Sequence, residues 1–220
     1  MRRIIFLSFL SVALTSRAQQ GSVTLQAKPF QYKVSRDTAV WNWLAQQPGF
    51  AALPAQQQQA FYWTNLMRKN PPRFFETAIR AFIQQFPEAN TKEVRDLELD
   101  MKKTPNSLPF LAPDASLKNM GTAHAADLVN RGGIISHQSA SGKGFAQRIK
   151  EYGSFRCGAE NIFAGSQDPL EALILLLIDH NVPNKGHRIN LLDSAYGRMG
   201  LGWELLNDGR AVLVQVFACP

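Results

Sequence analysis

Residues 179–192 read Asp179-His180-Asn181-Val182-Pro183-Asn184-Lys185-Gly186-His187-Arg188-Ile189-Asn190-Leu191-Leu192. This stretch brings two histidines and an aspartate into one short polar segment. Two other polar segments precede it in the chain, Ala159-Glu160-Asn161-Ile162 and Ser136-His137-Gln138-Ser139. Imidazole and carboxylate groups are common metal ligands and common proton-transfer groups. We therefore expect any chemistry of this chain to involve these three segments.

Composition and charge exclude several protein classes. The chain has 220 residues, of which 45% are hydrophobic and 10% aromatic. That is enough apolar material for the core of one domain, and it argues against a disordered, collagen-like or coiled-coil chain. Two cysteines are too few for a disulfide-stapled miniprotein or a zinc finger. The formal net charge is +7, but no basic stripe with interleaved aromatic residues is visible, so no nucleic-acid partner is expected.

The N-terminus predicts a signal peptide over residues 1–18. Arg2 and Arg3 precede an apolar run that is too short to span a bilayer, and Ser16-Arg17-Ala18 offers a small-x-small cleavage site. A buried N-terminal helix is the alternative. Cleavage after Ala18 removes three arginines and lowers the net charge from +7 to +4. No lipobox cysteine follows, so we expect a secreted or periplasmic protein without a lipid anchor or a transmembrane segment.

Export would place Cys157 and Cys219 in an oxidising compartment. An even pair of cysteines there favours a disulfide, which would close a loop of about 60 residues. Two separate buried thiols are the main alternative, because cysteine also packs as a small apolar residue. A catalytic cysteine is a third alternative.

Capping residues and periodicity predict a mixture of helices and strands. Asp114 is a good N-cap for a helix over residues 115–130. Asp168-Pro169-Leu170-Glu171 has the pattern of a capping box at the start of an apolar helix. Asn207-Asp208-Gly209 separates two apolar runs, which indicates a β-hairpin. Because no regular βα alternation and no nucleotide-binding motif is present, the sequence predicts an α+β fold with helices against an antiparallel sheet.

Taken together, these motifs resemble those of the CAP superfamily, also called SCP-like, which includes cysteine-rich secretory, antigen and plant pathogenesis-related proteins. Residues 186–192 match the Gly-His-Arg-x-Asn-Leu-Leu stretch that is typical of the bacterial exported branch. Glu160-Asn161-Ile162 resembles the Glu-Asn-Ile element of the family. Leu117 to Ala125 resembles its first core helix, and Met199 to Gly202 its penultimate strand.

The resemblance covers residues 56–220, with a helical insertion near 72–105. Residues 19–55 would form an N-terminal extension for which the sequence indicates no chemistry. The family fold implied by this resemblance is a three-layer α-β-α sandwich around a small antiparallel sheet.

The resemblance also implies a cleft lined by two histidines and two acidic residues, which can bind a divalent metal, often zinc. Matched position by position, the histidines are His137 and His187, and the first acid is Glu160. The second acid is a Glu in a Trp-x-x-Glu setting, which here reads Leu176-Leu177-Ile178-Asp179. The expected metal ligands are His137, His187 and Glu160. For the shorter Asp179, a role as a direct ligand and a water-bridged or second-sphere role both stay open.

Two functions follow from this expectation. The first is an exported, non-catalytic binding module whose cleft holds a metal or an extracellular ligand, either a small apolar, lipid or peptide molecule or a cell-surface component. The alternative is a metal-dependent, peptidase-like hydrolase in which His137 and His187 bind the metal and Glu160 is the candidate catalytic residue, as a ligand or general base. Glu160 and His187 could also be buried structural residues. Serines in the 136–141 segment allow a Ser-His-Glu arrangement, but no Gly-x-Ser-x-Gly turn supports it.

Overall fold

A computed structural model describes residues 28–220. The predicted signal peptide 1–18, and the extension up to residue 27, lie outside the described residues. The fold is α+β, as the sequence predicts, and residues 28–220 contain one sheet. The main helices are α1 Thr38–Ala45, α2 Ala55–Lys69, α3 Pro71–Phe74, α4 Arg80–Gln85, α5 Lys92–Lys103, α6 Ala115–Asn130, α7 Phe145–Tyr152, α8 Pro169–Ile178 and α9 Gly186–Leu192. The strands are β1 Ala112–Pro113, β2 Gly158–Gly165, β3 Arg198–Leu205 and β4 Ala211–Ala218.

The sheet has the strand order β1-β3-β4-β2, which makes β2 an edge strand. β3 and β4 form the antiparallel hairpin that the Asp208-Gly209 turn predicts, and β2 pairs antiparallel with β4. The sheet differs from a purely antiparallel one at β1, which pairs parallel with β3 over only two residues. The N–H groups of Ala112 and Asp114 donate to the carbonyl oxygens of Gly197 and Met199, and the pairing ends there because Asp114 caps the start of α6.

Side chains alternate between the two faces of the sheet, and each face packs into its own part of the hydrophobic core. Val212, Val214 and Val216 point to one face of the sheet and pack with residues of α6. Leu213 and Phe217 point to the other face and pack with residues of α2 and α8. A strand that buries both faces in this way lies between two helical layers. The architecture is therefore the three-layer sandwich implied by the family resemblance.

Helix α6 lies directly on β3 without intervening side chains. Its N-cap is Asp114, as predicted, because the Asp114 carboxylate accepts a 3.0 Å hydrogen bond from the Leu117 N–H. A Cβ added to Gly202 of β3 would lie 2.1 Å from the carbonyl oxygen of Gly121 in α6. The backbones of helix and strand can approach this closely only because both positions are glycine.

Helix α8 fills the opposite layer and is buried on most of its surface. Asp168 caps its N-terminus by accepting hydrogen bonds from the N–H groups of Leu170 and Glu171. The N–H of Asp168 itself donates to the Ser166 hydroxyl and not to Glu171. Only one of the two hydrogen bonds of the expected capping box is therefore formed. The Ser166 hydroxyl, and not the Glu171 carboxylate, accepts from the Asp168 N–H.

Residues 28–54 pack into the same core as α2 and α4. Phe30 contacts Phe82 edge-to-face with ring centroids 5.1 Å apart, and Trp41 contacts Phe50 in the same manner at 5.5 Å. Helices α3 and α4 are joined by a π-helical turn, Phe75–Ile79. Helices α3 and α4, the turn between them and α5 lie in the region near residues 72–105, where the sequence predicts a helical insertion.

The predicted disulfide is confirmed. It joins Cys157, just before β2, to Cys219, just after β4, with the two Cα atoms 5.5 Å apart. Between residues 28 and 220, no helix has both the length and the apolar character that crossing a bilayer requires.

Candidate functional site

The first expected histidine pairs with the first expected acid. His137 lies in the loop after α6, and its Nδ1 donates a 2.9 Å hydrogen bond to Oε1 of Glu160 on β2. The Glu160 side chain is only 2% exposed, whereas that of His137 is 45% exposed. The carboxylate therefore holds the imidazole from the protein side and leaves the opposite edge of the ring toward solvent.

Arg148 of α7 completes this arrangement, and the sequence analysis did not identify it. Its Nη2 donates to both carboxylate oxygens of Glu160, at 2.8 and 2.9 Å, and to the carbonyl oxygen of His137. Burial would raise the pKa of Glu160, but the hydrogen bonds from His137 and Arg148 and the charge of Arg148 outweigh it. The net pKa of Glu160 lies below its ordinary value, so this side chain is a carboxylate at neutral pH.

A signal for Arg148 was present in the sequence. Phe145, Ile149 and Tyr152 form the apolar stripe of α7, and position 148 lies within that stripe at helical spacing. A cation on an apolar helix face needs a buried partner. Of the two shorter polar segments, 136–139 and 159–162, only the second contains a carboxylate, that of Glu160.

The second expected histidine also has its own carboxylate. Nδ1 of His187 donates a 2.7 Å hydrogen bond to Oδ1 of Asp179. The second oxygen of Asp179 accepts from the backbone N–H groups of His187 and Arg188 at the start of α9. The Asp179 side chain is fully buried and that of His187 is 19% exposed. Asp179 thus fixes both the ring and the backbone of His187.

The loop between α8 and α9 has an unusual backbone. Three non-glycine residues, Asp179, Asn181 and Lys185, have positive φ angles of 57°, 56° and 48°. Such conformations are unfavourable for side-chain-bearing residues and persist only when the surroundings enforce them. The hydrogen bonds of Asp179 supply part of that constraint.

Helix α5 supplies the rest through an acidic face. Glu93, Asp96 and Asp100 are spaced at helical intervals and contact His180, Lys185 and Arg188 at 3.3, 3.1 and 2.7 Å respectively, the first contact being a hydrogen bond and the other two ion pairs. We call these three pairs the α5 clamp. They tie the inserted helix to the loop that carries His187.

Two residues show how firmly the α5 clamp is seated. Arg188 is buried and also donates to the carbonyl oxygens of Leu177, Ile178 and Glu93. Burial would raise the pKa of Glu93, but hydrogen bonds from its own backbone N–H and from His180 lower this pKa to about 2. The side chains of Arg188 and Glu93 therefore both have partners within the fold.

The two histidine pairs flank one point of the edge strand. Glu160 and Asn161 are consecutive in β2, so their side chains point to opposite faces of the sheet. Glu160 holds His137 on the α6–α7 side. Asn161 donates to the carbonyl oxygen of His187 at 3.3 Å on the α8–α9 side. We call this arrangement of His137, Glu160, His187 and Asp179 the edge-strand site.

The edge-strand site contains two imidazole rings, each oriented by a carboxylate. Each Nδ1 is held by a carboxylate, which is the usual way in which proteins orient a metal-binding imidazole. Neither Nε2 makes a hydrogen bond to another group of residues 28–220, whereas the oxygens of Glu160 are engaged by Arg148 and His137. Throughout that range, no three His, Cys, Asp or Glu side chains form a group that could hold an ion together.

The other two histidines lie outside these pairs. His124 of α6 is buried and its Nε2 donates to the carbonyl oxygen of Ser136 at 2.9 Å. Burial is the largest influence on His124 and lowers its pKa, so the ring is neutral at pH 7. His180 contacts Glu93 and Asn181. The loop serines bond to one another and to the loop backbone, as in the 2.9 Å contact between Ser139 and Ser141.

Comparison with known proteins identifies the family. The sequence profile described as "Cysteine-rich secretory protein family", CAP, matches residues 64–217. The chain belongs to the CAP family. The matched range begins within α2 and includes all four residues of the edge-strand site.

Two solved structures are similar to part of this CAP chain. One is an extracellular protein containing an SCP domain from Bacillus anthracis str. Ames, at 27% identity and a TM-score of 0.42. That alignment covers 51% of this chain and 35% of the Bacillus protein. The other is an outer surface protein from Borrelia burgdorferi, at 23% identity and a TM-score of 0.44, with 51% of this chain and 79% of the other aligned. No curated protein matches the chain significantly.

Proposed function

We propose that this protein is an exported CAP-domain binding module whose edge-strand site binds a divalent metal ion, with zinc as the best candidate. His137 and His187 would hold the ion through their Nε2 atoms, and solvent or an extracellular ligand would complete the coordination. The observation that carries the proposal is that two histidines, distant in sequence, each have Nδ1 fixed by a buried carboxylate. Export is supported by the N-terminal sequence pattern and by the disulfide.

In this proposal Glu160 and Asp179 orient the imidazole rings and do not bind the metal themselves. Glu160 already accepts three hydrogen bonds from Arg148 and His137. Asp179 accepts three from His187 and Arg188. A metal ion bound here would supply Lewis-acid chemistry, but the carboxylates of this chain are committed to positioning.

The geometry favours binding over hydrolysis. A general base works best when its pKa lies near the working pH. The pKa of Glu160 lies below its ordinary value, and both of its oxygens face a buried guanidinium. Such a carboxylate is a weak base and has no proton to donate at neutral pH. The arrangement therefore supports a positioning role for Glu160 over the role of a general base.

Zinc titration of the purified protein by calorimetry tests the proposal. After removal of metal with a chelator, we expect stoichiometric zinc binding that H137A and H187A each abolish. E160Q and D179N should keep the site but weaken the affinity by about 10–100-fold, as the loss of an orienting partner usually does. D208N is the control, because Asp208 is a carboxylate in the β3–β4 turn that pairs with Arg210 and contacts no residue of the edge-strand site, and it should bind zinc as the wild type does.

Two results would overturn the proposal. Zinc binding that survives in the H137A/H187A double variant would place the metal elsewhere. Zinc-dependent cleavage of a peptide library that E160Q abolishes would support the hydrolase instead. Circular dichroism of each variant separates loss of the site from loss of the fold.

A further inference from the structure

Helix α5 presents three different faces along its length. One face is buried where α5 packs against α3 and α8, and it consists of Val94, Leu97 and Met101. The second is the acidic face of the α5 clamp. The third is exposed to solvent, and it consists of Lys92, Arg95, Leu99, Lys102 and Lys103. We call this third face the basic face of α5.

The basic face of α5 places cations around one apolar side chain. Side chains three or four positions apart are neighbours on a helix, so Arg95, Lys102 and Lys103 surround Leu99. Lys92 lies one turn before Arg95, and no acidic residue lies on this face. Leu99 itself is 55% exposed. The face therefore combines four positive charges with an accessible apolar centre.

Three of these four cations have no counter-ion in the chain. Every Asp and Glu of the sequence lies between residues 28 and 220. None of their carboxylates lies within ion-pairing distance of Lys92, Arg95 or Lys103, whereas Lys102 shares the carboxylate of Glu98 with a second cation, Arg80. The basic face therefore carries positive charge that only a partner outside the chain can neutralise.

Helix stability does not account for the two cations at the start of α5. The N-terminal end of a helix carries a partial positive charge, so a cation is unfavourable there. Lys92 is the first residue of α5 and Arg95 is the fourth. Lys102 and Lys103, in the last turn, do complement the helix dipole. For Lys92 and Arg95, an external anion would offset a cost that the fold alone does not compensate.

We propose that the basic face of α5 docks on the anionic headgroups of a lipid bilayer. Lys and Arg side chains close to an anionic membrane each add to the attraction. Leu99 favours a bilayer over a soluble polyanion, because the boundary between headgroups and acyl chains can bury an apolar side chain. Four cations and one leucine provide a peripheral and reversible contact.

Docking through this face would bring the edge-strand site close to the lipid surface. The basic face lies beside the α5 clamp on the same helix. The clamp residues Asp96 and Asp100 hold Lys185 and Arg188, which flank His187 in the chain. The loop that carries His187 would therefore lie near the headgroups. Docking needs no bound metal, so this inference does not depend on the proposed function.

Flotation with lipid vesicles tests the inference, with protein purified from the exported fraction. We expect binding to vesicles of phosphatidylglycerol and phosphatidylcholine in equal parts, and none to phosphatidylcholine alone. K92Q/R95Q should weaken binding by about 25-fold, because each cation near an anionic surface contributes a factor of about 5. K150Q/R156Q is the matched control. It removes the same net charge from two exposed residues outside α5 and should bind as the wild type does.

L99S distinguishes a bilayer from a soluble polyanion. It should weaken flotation by about 5-fold, because it removes an apolar side chain that the bilayer buries, and it should leave binding to dextran sulfate unchanged. Circular dichroism checks that each variant keeps the fold.

Three results would overturn the inference. The first is no binding to the anionic vesicles, or equal binding to both kinds of vesicle. The second is flotation of K92Q/R95Q that equals that of K150Q/R156Q. The third is unchanged flotation of L99S, which would indicate a site for polyanions in place of lipid. Zinc binding should be unchanged in K92Q/R95Q, so the two proposals can fail independently.

Discussion

The Arg148–Glu160 ion pair gives the sharpest test of the candidate site, through the substitution E160Q. The two side chains are 7% and 2% exposed and share hydrogen bonds of 2.8 and 2.9 Å. Removing the negative charge leaves a buried guanidinium without its counter-ion. Breaking a buried pair in this way typically destabilises a protein by about 3–5 kcal/mol. We expect a loss of that size in the free energy of unfolding of E160Q.

The same helix provides a matched control. Glu151 of α7 also forms an ion pair, with Lys143, but both side chains are 48% exposed. Exposed pairs contribute about 1 kcal/mol or less because water and salt screen them. E151Q should therefore change the free energy of unfolding by no more than that amount, although it removes the same type of charge.

Urea unfolding of E160Q, R148M and the double variant measures the coupling directly. We expect the double variant to be destabilised less than the sum of the two single variants, because it buries no uncompensated charge. Equal denaturant slopes in all variants would show that the comparison concerns one two-state transition. The reasoning is refuted if E160Q is no less stable than E151Q, or if the effects of the two single substitutions simply add.

Three further predictions concern pH, the disulfide and the helix–sheet contact. The pKa of Glu160 is lowered in the fold, so its ionisation stabilises the protein above pH 4.5, and this stabilisation is lost as the pH falls toward the folded pKa. The urea midpoint of E160Q should therefore fall less steeply with acid than that of the wild type. Replacing Cys157 and Cys219 by serine opens a loop with a sequence separation of 62 and should lower the free energy of unfolding by about 4 kcal/mol, as measured by urea titration against the oxidised protein. G202A places a methyl group against the backbone of α6 and should destabilise the protein by about 1–3 kcal/mol, whereas G186A, with open space around the added methyl, should be neutral or slightly stabilising in the same thermal-melt assay. A melting temperature unchanged by G202A would contradict the close approach.

Local signals account for the elements that the sequence predicts well. Asp114 and the Asp208-Gly209 turn each act within a few residues of the element that they begin or connect, and both positions are confirmed. Other features depend on tertiary contacts and leave little trace in the sequence. The two-residue strand β1 has no periodicity of its own, and it exists because β3 lies beside it.

The sequence likewise indicates the residues of the candidate site but not their tertiary contacts. Resemblance to the family selected His137, Glu160, His187 and Asp179 as site residues, but it did not say which acid contacts which histidine. That assignment depends on which face of the edge strand each side chain takes, a property of the folded sheet. The roles of these residues as metal ligands stay a prediction.

The α5 clamp and Arg148 were missed for a related reason. Acidic residues on α5 look like an ordinary solvated helix face until the loop that carries His187 is placed against them. Charged residues in a sequence do not reveal their partners when those partners lie far away along the chain. Arg148 differs only in that its position on an apolar helix stripe was a usable signal.

The α5 clamp makes the two halves of the edge-strand site sensitive to different solution conditions. Asp96 and Asp100 of the clamp are 46% and 41% exposed, so mobile ions can weaken their attraction to the loop of His187. The opposite half rests on the sealed guanidinium–carboxylate contact behind His137, which dissolved salt reaches far less. Rising ionic strength would therefore weaken the support of His187 before it weakens that of His137.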